Sequence, residues 1–198
     1  MTAYVAKGRA AIAALAAFTL AGCISFGPDA PEQLLTLSAA SSAPAGSSSE
    51  GDMSRALAVK EPSVPQRLNV TRVPVMMTDT SIAYLQDAVW VEKPSRLFQT
   101  VLSDTIRARG TRLVVGGADL EYAAPVQLDG TLTAMDFDAA RGSVVVRYEA
   151  VLTQPGGTVR TRIFENEVTG IIADPLSVGP ALNQAANAVA AEVADWVG

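Results

Sequence analysis

The sequence predicts an α+β domain in which two amphipathic helices pack on one face of a mostly antiparallel sheet. Two observations predict the helices. Apolar residues recur at steps of three and four after Pro94, and they do so again towards the end of the chain. A third observation predicts the sheet. Three runs between residues 126 and 172 have strand-like composition, and a tight turn separates the last two.

The N-terminal segment has the layout of a secretory signal peptide. Two basic residues precede an apolar run over residues 10–21, which is shorter than the roughly 20 residues that a membrane-spanning helix needs. The motif LAGC at positions 20–23 matches the bacterial lipobox, in which cleavage frees the cysteine and its thiol receives diacylglycerol. We therefore predict removal of residues 1–22 and lipidation of Cys23. An ordinary signal peptide followed by a chance cysteine is the alternative.

The residues after Cys23 predict how the domain is attached. Residues 23–31 contain one glycine and two prolines and are predicted to be a lipidated tether, followed by a domain over residues 32–198. Ile24 and Ser25 stand where an aspartate would resemble an inner-membrane retention signal. The predicted location is therefore the outer membrane, with the domain facing the periplasm. Several acyl chains on one residue anchor a protein stably.

Composition excludes several classes of function. The chain has 15 basic and 20 acidic residues, and the loss of residues 1–22 makes its net charge of −5 more negative. Such a chain binds nucleic acid poorly because phosphate contacts need concentrated Lys and Arg. The absence of histidine removes the commonest general base and the usual zinc ligand. No cofactor and no metal is predicted.

Short β-like runs precede the first helix. We predict strands at Gln33–Ser38, Arg55–Val59 and Arg67–Val73, with Pro62 and Pro65 between the last two. The Ser-rich segment 39–53 has no apolar period and is predicted to be a flexible loop.

The segment from residue 74 to residue 90 follows neither the helical nor the strand period, so one or two strands with an irregular loop are expected. Methionine-rich, irregular apolar segments adapt to partners. The candidate partner-binding residues are therefore Met76, Met77, Tyr84 and Leu85. An ordinary buried strand is the alternative.

The first helix is predicted to begin at Pro94, which suits the first helical position, and to end at Gly110. After a short run at Leu113–Val115, the strands Val126–Met135, Ser143–Thr153 and Thr158–Ile172 are predicted to form an antiparallel meander. In the first of these strands the residues expected to share one face are Val126, Leu128, Leu132 and Ala134.

The turn Gln154-Pro155-Gly156-Gly157 has the composition of a type II turn. The second helix is predicted over Ser177–Val197, with a stripe that faces the sheet. The stripe consists of Val178, Leu182, Ala185, Val189, Val193 and Trp196.

Paired carboxylates are the remaining candidates for chemistry. Asp136 and Asp138 lie two apart on a probable strand and so point the same way, as do Glu165 and Glu167. Such pairs suit a glycosidase or a calcium site. The alternatives are solvated charges at a strand end for the aspartates and a cross-strand partner for Glu165, either Arg147 or Arg160.

The order of these elements resembles one known family. In chain order, the segments that carry this resemblance are QLLTLS after the cysteine, RLNVTRVPV, YLQDAVWVEKPSRLFQTVLSDTIRARG, LDGTLTAMDFD, the hairpin VVVRYEAVLTQPGGTVRTRIFE and ALNQAANAVAAEVADW. This arrangement resembles the ABC-type transport auxiliary lipoprotein family, which includes the outer-membrane lipoprotein of the paraquat-inducible MCE system. The first strand lacks the tyrosines that the family often carries, and the Ser-rich loop is unusually long.

The resemblance implies a domain like the N-terminal domain of TolB and a docking or adaptor role without catalysis. The implied partners are the membrane, through the lipid anchor, and an MCE-domain protein with an ABC permease and ATPase. Self-association is left open. One alternative function is a periplasmic lipid-binding carrier, which needs an apolar cavity. A hydrolase that uses Asp136 and Asp138 is the other.

Overall fold

The computed structural model describes residues 33–116 and 123–198. The predicted signal peptide, Cys23 and the tether lie outside the described residues. None of the helices within the described ranges combines the length and the apolar character that crossing a membrane requires.

Seven strands in one sheet and two α-helices make up the described part of the chain, and short 3₁₀ turns lie at Met53–Arg55 and Gln66–Leu68. The sheet is mixed and mostly antiparallel, so the predicted α+β fold is confirmed. The strands are β1 (Leu57–Val59), β2 (Arg72–Thr78), β3 (Ser81–Val89), β4 (Val114–Val115), β5 (Val126–Asp138), β6 (Ser143–Thr153) and β7 (Val159–Thr169). The helices are α1 (Pro94–Arg109) and α2 (Pro175–Val197).

Strand β5 organises the sheet. On one side it pairs along its length with β6, and β6 pairs with β7, which confirms the antiparallel meander. On its other side β1 runs parallel to its start and β2 parallel to its end, while Ser63 bridges Thr131 between them. Strand β4 adds to β1, and β3 adds to β2. The segments β1 and β2 are thus parts of one path beside β5, interrupted where Pro62 and Pro65 lack the N–H that a ladder needs.

The predicted turn between β6 and β7 is confirmed as type II. Gly156 has φ 83° and ψ 7°, a left-handed conformation that glycine adopts without a steric penalty. The N–H of Gly157 donates to the carbonyl of Gln154 over 3.3 Å and closes the turn.

The first helix begins and ends with the predicted signals, and the second has a cap that was not predicted from the sequence. Pro94 occupies the first turn of α1, and Gly110 ends this helix with φ 67°. The second helix starts two residues earlier than predicted, because Asp174 caps it. The carboxylate of Asp174 accepts from the backbone N–H of Ser177 at 3.0 Å and from its hydroxyl at 2.8 Å.

The core lies between the helices and one face of the sheet. Phe98 of α1 meets the Tyr148 ring of β6 edge to face, with centroids 5.3 Å apart. The Tyr148 ring lies over Gly130, where a Cβ would be only 2.7 Å from the ring. The predicted stripe of α2 is buried except for Trp196, which is half-buried and packs against Phe164 at 5.6 Å.

The predicted first strand is wrong. Within Gln33–Ser38 only Leu35 forms a bridge, to Trp90, and the end of the segment is hydrogen-bonded to α2. The Asn183 side chain accepts from the N–H of Ser38 at 2.9 Å. One turn later Asn187 accepts from the N–H of Ala40 at 2.6 Å and donates to the carbonyl of Ser38 at 2.8 Å. Two carboxamides therefore satisfy backbone groups that a strand would pair in the sheet.

The run Arg67–Val73 is also shorter as a strand than predicted. Its first residues belong to the 3₁₀ turn, and β2 starts only at Arg72. In the following segment the expected irregularity falls within β3 rather than in a loop. The pairing jumps from Pro74 with Tyr84 to Arg72 with Val89, and Asp87 has a φ of 56°. The additional residues of β3 between Tyr84 and Val89 explain why the apolar pattern of this segment follows no single period.

A bulge in β5 corrects the predicted inward face. Leu132 pairs with Tyr148 and Ala134 pairs with Arg147, so Thr133 is an extra residue. Side chains beyond the bulge change faces. Met135 and Phe137 enter the core, whereas Ala134 lies on the opposite face. The prediction that Ala134 shares the inward face with Leu132 is therefore wrong.

Candidate functional site

The face of the sheet opposite the helices is called the open face here. Near the turns that join β2 to β3 and β5 to β6, it carries a concavity of about 250 Å³, called the open-face concavity. Its lining brings together two groups of residues that were singled out separately in the sequence. It includes Met76, Met77, Asp79, Asp136, Asp138 and Glu165.

Asp136 lies on the floor of the concavity and is only 4% exposed. Its Oδ2 accepts from Nη2 of Arg67 at 3.1 Å, and Arg67 reaches it from the 3₁₀ turn before β2. Arg67 also donates to the carbonyl of Thr133, the extra residue of the bulge. The bulge thus supplies an acceptor that holds the guanidinium beside the carboxylate. Burial raises the pKa of Asp136, while the Arg67 charge opposes that rise.

Asp138 lies two residues further on and points to the same side, but its surroundings differ. It accepts from the backbone N–H groups of Ala140 and Arg141, both at 3.0 Å, and its Oδ2 lies 2.8 Å from Nε of Arg141. Hydrogen bonding from Arg141 lowers the pKa of Asp138. The two aspartates therefore differ in pKa direction, and each is held by its own arginine.

The glutamates of β7 also have specific partners. Glu165 lies directly across from Arg147 and forms an ion pair with it, so one of the two predicted cross-strand partners is confirmed. Glu167 accepts from the Ser143 hydroxyl at 2.5 Å and lies 3.6 Å from Nη1 of Arg141. These contacts are those of a charged sheet surface.

The candidate partner-binding residues differ in exposure. Met77 is 48% exposed, Met76 and Tyr84 are half-buried, and Leu85 belongs to the hydrophobic core. The guanidinium of Arg72 covers the Tyr84 ring at 4.4 Å from its centroid. Partner binding by this set stays a prediction.

Two contributors to this surface were missed in the sequence. Ile82 pairs with Met76 on the open face and is 45% exposed. Arg67 lies 69 positions from the aspartate it contacts, and no local pattern signals that pairing. For Ile82 the signal was available, because it alternates with Tyr84 along β3.

Other cavities in the described residues offer less. Three further surface concavities hold about 300, 380 and 210 Å³, and no residue of the hydrophobic core lines any of them. The first is lined by Arg55 and Arg112, and burial together with the charges of Arg55 and Arg160 lowers the pKa of Arg112. Within residues 33–116 and 123–198 no three acidic or cysteine side chains form a metal-binding group. These cavities do not have the apolar character that a lipid carrier needs.

Comparison with known proteins identifies a family match over most of the chain. The model of a family described as "ABC-type transport auxiliary lipoprotein component" matches residues 35–194. No curated protein matches the sequence significantly.

Solved structures support the fold. The crystal structure of an uncharacterized protein has a TM-score of 0.62 at 20% identity and covers 76% of this chain and 97% of its own. The crystal structure of protein XCC0632 from Xanthomonas campestris has a TM-score of 0.65 at 17% identity, covering 83% and 92%. At these identities the likeness concerns the fold alone.

Proposed function

Because the chain belongs to the family of ABC-type transport auxiliary lipoprotein components, we propose that it is the outer-membrane-anchored docking subunit of an intermembrane lipid transport system. Its partners in this proposal are an MCE-domain protein and an ABC permease with its ATPase. The family match over residues 35–194 is the observation that carries the proposal. The family is one of transport auxiliary lipoproteins and not of enzymes.

The proposed anchor is the acylated thiol of Cys23. A tether over residues 23–31 reaches at most about 30 Å, at roughly 3.3–3.6 Å per extended residue. The domain therefore stays close to the inner surface of the outer membrane. A protein held at this distance is suited to receive the end of a complex that reaches across the periplasm.

The proposed mechanism is binding and positioning. Met77 and Ile82 offer exposed apolar surface beside the open-face concavity, on the paired strands β2 and β3. Exposed apolar groups next to charged ones are typical of protein interaction sites. Asp136 and Asp138, the carboxylates that a hydrolase would need, each form an ion pair with an arginine, which favours docking over catalysis.

The test of the anchor is a Cys23→Ser variant expressed in the native host. We expect the variant to leave the outer-membrane fraction while keeping the circular dichroism spectrum of the wild type. A processed variant that remains with the outer membrane would contradict the lipid anchor.

The test of the role is co-purification after mild cross-linking in the native host. Affinity-tagged wild-type protein should recover peptides of an MCE-domain protein and of an ABC permease or ATPase by mass spectrometry. Recovery of neither class would contradict the docking role.

The docking surface is tested by the variants Met77→Lys and Ile82→Lys. Loss of an anchoring apolar contact at an interface typically costs about 2 kcal/mol or more, so recovery of the partner should fall strongly. Leu176→Lys is the matched control, because Leu176 is 76% exposed but belongs to α2. Equal recovery from all three variants would refute the surface and leave the family role intact.

A further inference from the structure

The open-face concavity combines charge and burial in a way that points to one kind of occupant. We propose that it accepts a single arginine or lysine side chain of the docking protein, and that Asp136 is the carboxylate that binds it. This inference rests on the proposed docking function and adds the chemistry of the partner's contact residue.

The first argument is an unused acceptor. Oδ2 of Asp136 is occupied by Arg67, but Oδ1 is buried and has no hydrogen-bond partner among the described residues. A buried carboxylate oxygen without a partner loses free energy that a donor would recover. Asp136 lines the concavity, whereas Arg67, whose Nε is also unpartnered, does not. A group that enters the concavity therefore meets the side chain of Asp136 and not that of Arg67.

The second argument is the balance of charge. Four carboxylates and two guanidinium groups line the concavity, and Asp79 at its rim forms no ion pair with a described residue. An excess of negative charge around a partly dry site favours a cation. The carboxylates are Asp79, Asp136, Asp138 and Glu165, and the guanidinium groups are Arg141 and Arg147.

The third argument is size and lining. About 250 Å³ is smaller than the roughly 300–1,000 Å³ typical of small-molecule sites. A lipid tail needs an apolar cavity, and half of the residues that line this concavity are charged. One long side chain fits better. Its aliphatic stem can lie against Met76 and Val145 while its charged end reaches Asp136.

The raised pKa of Asp136 agrees with this arrangement. Without a second cation, burial favours the protonated carboxyl. A guanidinium or ammonium group close to Oδ1 would favour the ionised form and so lower the pKa.

The experiment uses the purified full-length protein in a nonionic detergent with ¹³C-labelled methionine methyl groups. The probe is acetylated, amidated tetra-arginine, and the matched probe is tetra-citrulline, which has the same shape without charge. Tetra-arginine should shift the methyl signals of Met76 and Met77 in a saturable manner at low salt. Met53 and Met135, which do not line the concavity, should not shift.

Two variants locate the binding group. Asp136→Asn should weaken tetra-arginine binding by at least about tenfold, as expected when a buried charge loses its counter-charge. Asp129→Asn, on the same strand but outside the concavity, should bind like the wild type. If Asp136→Asn does not fold, Asp79→Asn replaces it and should weaken binding by a smaller factor.

Three outcomes would overturn the inference. These are the absence of shifts with tetra-arginine, equal shifts with tetra-citrulline, and unchanged binding in both carboxylate variants. Shifts caused by glycerophosphoethanolamine but not by the peptide would assign the concavity to a lipid headgroup and also overturn it. Because this titration contains no transport protein, its failure leaves the co-purification result unaffected.

Discussion

The two faces of one sheet are built on different principles. The face under α1 and α2 is apolar and closed, and Leu132, Met135 and Phe137 of β5 are buried there. The open face of the same strand carries Asp136 and Asp138, each paired with an arginine. A single extra residue, Thr133, decides which side chains after it belong to which face.

This difference separates the residues that stabilise the fold from the surface that is proposed for docking. The covered face contributes free energy through packing, which tolerates little change. On the open face Asp138 and Glu165 are paired with arginines, and the net contribution of such pairs to stability is small when they are exposed. A surface of that kind can change its contacts without unfolding the domain. The predictions below test this division.

The largest effect is expected at Phe137. Phe137→Ala leaves a cavity in the core and should lower the free energy of unfolding by ~3–5 kcal/mol in urea denaturation. Ile163→Ala, on the exposed side of β7, should change it by no more than about 0.5 kcal/mol. Similar losses in the two variants would contradict the division between the faces.

A smaller but distinct effect is expected at the buried ion pair. Arg67→Met leaves Asp136 without its counter-charge and should cost about 1–3 kcal/mol at neutral pH. The double variant Arg67→Met with Asp136→Asn should recover much of that loss, because no buried charge remains. The check is chemical denaturation of both variants and the wild type. Additive losses in the double variant would show that the two groups are not coupled.

The pH dependence should differ in sign between Asp136 and Asp174. The pKa of Asp136 is raised, so its protonated form stabilises the fold, and that stability is lost as pH rises from its ordinary value of 3.8 through the raised pKa. The pKa of Asp174 is lowered by hydrogen bonds from Ser177, so its contribution is lost as pH falls below 3.8. Relative to the wild type, Asp136→Asn should gain stability as pH rises, whereas Asp174→Asn should lose it. The check is the melting temperature of each variant relative to the wild type, measured as a function of pH. A change with pH in the same direction for both variants would contradict the assignment.

The smallest effect is expected for the exposed pair of Arg147 and Glu165. A double-mutant cycle with alanine should give a coupling free energy of only about 0.2–1 kcal/mol, and less at high salt. A coupling well above this range would mean that the open face contributes to stability as the covered face does.

Local signals in the sequence predicted most of the elements. Pro94 and Gly110 bounded α1 because a proline and a left-handed glycine act on their own positions. The turn at Pro155 and Gly156 was predictable for the same reason. The meander followed from alternation along strands of 11–13 residues.

The remaining features depend on distant contacts. Thr133 is an ordinary strand residue, and nothing beside it predicts a bulge. The failure of the first strand depends on Asn183 and Asn187, about 145 positions away. The concavity likewise depends on β2, β5, β6 and β7 together. A sequence pattern reports side-chain periodicity, and it does not report which backbone groups find partners far along the chain.

The two asparagines of α2 also have a mechanical consequence. Tension transmitted along the chain from its N-terminal side reaches the described fold at Leu35, whose backbone is bonded to Val89 and Val91. It then reaches the carboxamides that hold Ser38 and Ala40. The pulling force is therefore shared between a sheet edge and a 23-residue helix. The helix that takes part of this load lies on the far side of the sheet from the concavity.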